Sequence, residues 1–86
     1  MGEIALKRGA SKPDPYGSWE ETAKELIVET MYRKRLTYKE LARRLEEFGI
    51  DESADQINRK VNRKRFSAAF LIACLAAMDA RSIRIV

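Results

Sequence analysis

Five side chains within one short stretch, Gln56, Asn58, Arg59, Asn62 and Arg63, have the chemistry needed to read base pairs. An arginine guanidinium forks onto the O6 and N7 of guanine, and a carboxamide pairs with the N6 and N7 of adenine. Lys60, Lys64 and Arg65 lie among and just after them, and Tyr38 and Lys39 lie in the preceding segment. These are residue types that hold phosphates. Amides interleaved with arginines point to recognition of base edges, whereas lysines alone would point to backbone attraction.

Other chemistries lack their residues. The chain has no His, so the commonest general base and metal ligand is missing. Its one cysteine, Cys74, forms no internal disulfide and no thiolate cluster. Gly2, Gly9, Gly17 and Gly49 are scattered and make no phosphate-cradling loop. No pair of carboxylates sits on an apolar background that would shift a pKa. The expectation is a binding protein rather than an enzyme, with no cofactor, no metal and no small-molecule ligand.

Charge is concentrated. The 86 residues carry 17 Lys and Arg against 13 Asp and Glu, a net +4. Ile57–Phe66 holds five basic residues and no acid, and the remainder balances to −1. A solvated helix face normally mixes signs, so this stretch stands apart from general basicity.

Four helices are expected to position these groups. A first starts at Ser18, where Ser18-x-x-Glu21 fits a capping box. Trp19, Ala23, Leu26, Ile27, Thr30 and Met31 give it one apolar stripe. It ends near Arg33-Lys34-Arg35, where cations suit the C-terminal dipole. A second starts at Thr37, with Thr37-x-x-Glu40 as a second box. Leu41, Ala42, Leu45 and Phe48 form its buried face, and Gly49 suits the position of positive φ beyond its end. A third, over about 53–64, is capped by Ser53-x-x-Gln56. Ala54, Ile57 and Val61 fall within about 60° of one another on its wheel and form the buried side. Gln56, Asn58, Arg59, Asn62 and Arg63 take the rest of the circumference. The fourth runs from Ala68 to about Asp79. Its 11-residue apolar run, Ala68–Met78, is too short to span a membrane. Being apolar all round, it is either the central helix or part of a subunit interface.

Residues 1–17, with Pro13, Pro15, Gly9 and Gly17, read as an arm preceding one domain over 18–86. Lys7, Arg8 and Lys12 would let that arm reach a minor groove, or it makes no contact at all. Ile4 and Leu6 alternate near one end of the chain and Ile83 and Ile85 near the other. The termini therefore either pair as a short β-ribbon or fray. Cys74, Trp19 and Phe66 fall on apolar stripes and are expected in the core. The N-terminal segment lacks a secretory signal, and with the unpaired cysteine this points to a cytoplasmic, nucleoid-associated protein.

Thr37-Tyr38-Lys39-Glu40-Leu41-Ala42-Arg43-Arg44-Leu45 resembles the first helix of the helix-turn-helix motif in phage-repressor-like proteins. In that pattern the small residue matching Ala42 admits the second helix, Leu41 and Leu45 face the core, Gly49-Ile50 forms the turn, and Ile57 matches the core residue of the recognition helix. Here Glu46, Glu47 and Phe48 lengthen the first helix, and the gap to Ile57 widens the turn. The segment Lys60-Val61-Asn62-Arg63-Lys64-Arg65-Phe66-Ser67-Ala68-Ala69-Phe70 resembles a small bacterial family of uncharacterised domains, with Lys64 in place of that family's glycine. The resemblance implies an all-α, four-helix, repressor-like domain. It also implies a transcriptional regulator that inserts its third helix into the major groove of double-stranded DNA. A homodimer through the fourth helix, the termini or both would present two such helices about 34 Å apart. The alternatives are a protein-interaction module, antitoxin-like or polymerase-binding, and a non-specific binder of DNA or RNA.

Overall fold

A computed structural model describes residues 14–85. The expectations for the arm, including Ile4, Leu6, Lys7, Arg8 and Lys12, lie outside the described residues. The fold is all-α, with four helices in the order α1 (Gly17–Lys34), α2 (Tyr38–Glu46), α3 (Ala54–Arg63) and α4 (Ala68–Ala77).

The first helix begins one residue before the expected start. Asp14 Oδ1 accepts the Tyr16 N–H at 2.9 Å and organises a turn there. Helical bonding then runs from the Tyr16 carbonyl to the Glu20 N–H. Ser18 therefore stands inside the first turn and does not cap it, so the Ser18–Glu21 capping box does not form. Gly17 belongs to the helix and not to the arm. Ile27, Thr30 and Met31 are buried, and the Thr30 hydroxyl is satisfied by the Leu26 carbonyl at 2.7 Å. Trp19 departs from its expected place in the core and is 54% exposed. The cause is length: 18 residues make α1 about 27 Å long, against about 15 Å for its ten-residue partners, so its first turns overhang the core.

Thr37 caps α2 by accepting the Glu40 N–H at 3.1 Å. The reciprocal half of that box is absent, because the Glu40 carboxylate takes Arg43 at 2.8 Å instead. Leu41 and Leu45 are fully buried and Ala42 is half-buried. Phe48 departs from the expected buried face and is 52% exposed. The helix has already ended at Glu46, so helical spacing no longer dictates where Phe48 points. Gly49 takes φ 82°, and the N–H of Ile50 closes back on the Leu45 carbonyl at 3.0 Å.

Both halves of the Ser53–Gln56 box form, at 3.1 and 2.8 Å. Ile57 and Val61 are fully buried, whereas Ala54 is only half-buried. Ser67 caps α4 through the Phe70 N–H at 3.0 Å. That helix ends at Ala77, two residues before the expected Asp79, which instead adopts φ 59°. Phe70, Cys74, Leu75, Ala77 and Met78 are buried, and Ile72 is the large apolar side chain of α4 left open to solvent. Burial pushes the Cys74 thiol up to about 12.

These stripes meet in one core, with α3 against α2 and α4 against α1 and α2. Arg44 and Lys34 donate to the carbonyls of Ala77 and Asp79, at 3.2 and 3.1 Å, placing cations at the negative end of α4. Residues 81–85 have no regular structure, so a ribbon finds no strand among the described residues. No described helix is long and apolar enough to cross a membrane.

Candidate nucleic-acid interface

The paired hydrophobic residues Leu41, Leu45, Ile57 and Val61 fix the rotation of α3 on α2. Burying one side of α3 turns the other outward, and Gln56, Asn58, Arg59, Asn62 and Arg63 are all exposed. All five expected base-reading residues therefore share one accessible surface. Of the expected phosphate contacts, Lys39 and Arg65 are exposed, while Tyr38, Lys60 and Lys64 are half-buried, with Tyr38 packed on the core.

The tertiary structure brings acids to the basic stretch. Lys60 Nζ sits 2.6 Å from Glu52 Oε2 and 4.9 Å from the centre of the Phe70 ring. Its ammonium therefore ties the entry of α3 to α4. Lys64 meets Glu21 at 2.6 Å, and Arg65 meets Glu20 at 3.4 Å. The hydrogen bond from Lys64 holds the Glu21 carboxyl below its ordinary value, and the same bond holds the Lys64 ammonium above its own. These two pairs are solvent-exposed and hold little energy, so a phosphate could replace either carboxylate. Glu20 and Glu21 would nonetheless remain beside it. Arg59 and Arg63 make no ion pair among the described residues, although they line a shallow depression of about 260 Å³ with Asp51, Glu52 and Gln56.

The amides are also engaged. Asn62 Nδ2 donates to the Asn58 carbonyl at 2.9 Å and to Asn58 Oδ1. Gln56 Oε1 accepts the Ser53 N–H. At the other end of α3, Lys64 adopts φ 64°, a left-handed conformation that suits the glycine it replaces.

A groove also lies between the start of α1 and the α3–α4 connection. Tyr16, Trp19, Ala23 and Phe66 line its volume of about 440 Å³, with Glu20, Lys64 and Arg65 on its rim. Helical periodicity assigned Trp19 to the core, so the only signal was the position of this aromatic at the very start of the longest helix. Glu20, Glu21 and Glu52 were equally illegible as partners of the basic stretch, since each is at least eight residues from its cation. Among the described residues no group of three or more Cys, Asp and Glu side chains is placed to hold a metal ion.

The fold and surface define a small four-helix domain whose α3 presents a polar, arginine-bearing face. The chain belongs to the family described as Domain of unknown function (DUF6471), which matches residues 19–83. No curated protein and no solved structure matches it.

Proposed function

We propose that this domain binds double-stranded DNA sequence-specifically, as a small transcriptional regulator whose α3 enters the major groove in the manner of a helix-turn-helix protein. The observation that carries this is the outward face of α3. Arg59 and Arg63 stand there without an acid partner among the described residues, on a helix whose rotation is fixed by the buried Ile57 and Val61. A capped, rigid, ten-residue helix fits a groove about 12 Å wide. Lys39, and Lys64 and Arg65 once released from Glu21 and Glu20, supply the phosphate contacts. No residue is assigned a catalytic role. A homodimer through α4, where Ile72 stands 64% exposed, or through the termini would pair two such faces on one duplex.

Binding of the full chain to random duplex DNA, genomic fragments and RNA across a salt series tests this. Enriched duplex sites and a slope of roughly −0.9 per phosphate contacted are expected. Arg59→Ala/Arg63→Ala should relax base preference. No affinity for any nucleic acid at about 50 mM salt would sink the proposal. Sedimentation showing only a 9.9 kDa species would remove the dimer.

A second reading, a protein-interaction module, is favoured by the groove of Tyr16, Trp19 and Phe66. There, exposed aromatic surface lies beside charges that already neutralise one another. It predicts that Trp19→Ala leaves DNA affinity untouched and abolishes capture of a protein partner.

A further inference from the structure

A carboxamide reads adenine with both ends at once: its oxygen accepts from N6 and its nitrogen donates to N7. On α3 each of the three amides has one end already tied. Gln56 has given its oxygen to the Ser53 N–H, which is half of the capping box that starts the helix. Asn62 has given its nitrogen to the Asn58 carbonyl and Oδ1, and Asn58 has given that oxygen. To read adenine, Gln56 or Asn58 would have to share an oxygen already accepting one bond, and Asn62 would have to break its clasp on Asn58. Lys60 is withdrawn as well, held between Glu52 and the Phe70 ring.

Two base-reading groups remain uncommitted, Arg59 and Arg63, both exposed and four residues apart on one face. Each carries a fork of donors that matches guanine, whose major-groove edge offers two acceptors, O6 and N7. Four residues of helix advance about 6 Å. Successive base pairs are about 3.4 Å apart. A helix lying along the groove would therefore set the two forks about two base pairs apart.

We propose that this face is a guanine reader: Arg59 and Arg63 each fork onto the O6 and N7 of one guanine, and the two guanines lie about two base pairs apart in the major groove of a single duplex. This rests on the DNA-binding function proposed above. Asp51 and Glu52 line the same shallow depression as Arg59 and Arg63, and this acidic surround disfavours a phosphate there more than it does the neutral edge of a guanine.

The test is selection of the full chain on a random-sequence duplex library, followed by atom-level substitution in the enriched duplex. The enriched sites should share two guanines at that spacing. Replacing either with 7-deazaguanine, which lacks the N7 acceptor, should weaken binding about 10-fold, the scale of one bidentate contact. Inosine, which keeps O6 and N7 and loses only the minor-groove amine, should bind as guanine does. Arg59→Ala and Arg63→Ala should each relax preference at one guanine, with unchanged helical content by circular dichroism. Enriched sites without guanine, or affinity indifferent to 7-deazaguanine, would overturn guanine reading while leaving DNA binding standing. Loss of affinity on inosine substitution would overturn it in favour of the minor groove. Absence of any duplex binding at about 50 mM salt would overturn both.

Discussion

α3 and α4 are matched in form and opposite in use. Each has ten residues, and each starts from a serine whose hydroxyl accepts the N–H three residues on. In α3 two large residues, Ile57 and Val61, are buried and the remaining surface is polar. In α4 Phe70, Cys74, Leu75 and Ala77 are buried, with no charged residue along its length. Local helix chemistry is thus the same in both. What differs is how much of the circumference the rest of the chain covers. A helix that needs only two anchors has most of its surface free for a partner; one that supplies a third of the core does not.

The contrast breaks first in the anchors. Ile57→Ala and Leu75→Ala should each cost about 2–5 kcal/mol in chemical denaturation, because both remove packed methyl groups and leave a cavity. Arg59→Ala with Arg63→Ala should change stability by less than about 0.5 kcal/mol per site, since neither contacts the core. Equal destabilisation by the arginine changes would show that the α3 face is structural.

A second effect belongs to α4 alone. The Cys74 thiol is raised from 9.0 to about 12, so the folded state holds its proton where the unfolded chain has lost it. Stability should therefore be fully present below about pH 9 and fall as pH rises from there towards 12. The slope reaches about 1.4 kcal/mol per pH unit. Cys74→Ala removes this component. The difference between the pH–stability curves of wild type and variant isolates it from other groups titrating in that range. Parallel curves would mean that the thiol is not buried as described.

Smaller effects sharpen the comparison at the helix ends. Ser67→Ala should cost about 1 kcal/mol, the usual value of a helix cap. Ser53→Ala should cost about the same, because it removes only the hydroxyl that accepts the Gln56 N–H while the backbone N–H at position 53 still donates to the Gln56 side chain. Least of all, Lys64→Gly and Asp79→Gly should each raise the thermal midpoint slightly by relieving a left-handed residue, at φ 64° and 59°. The gain should be larger at Lys64, since Asp tolerates that conformation better.

Helix α3 was the most legible element and α1 the least. Ser53, Gln56, Ile57 and Val61 announce a start, a cap and a buried side within nine residues, and all four are local signals. Ser18-x-x-Glu21 has the same letters as a capping box, yet Asp14 turns the chain upstream and Glu21 is drawn to Lys64. Trp19 and Phe48 fit helical stripes. Each lies where its helix overhangs the core or has already stopped, so periodicity alone could not place it.

The all-α architecture, the threonine and serine caps of α2 and α3, and the outward set of Gln56, Asn58, Arg59, Asn62 and Arg63 were legible in the residues alone. Those follow from helical period and from hydrogen bonds spanning three or four residues. Which charges remain available depends on how the helices pack. Five cations and no acid in Ile57–Phe66 become two cations without an ion pair among the described residues, once Glu52, Glu21 and Glu20 arrive from eight to 45 positions away. Coulomb attraction depends on distance in space, and the chain's fold, not its order, sets that distance.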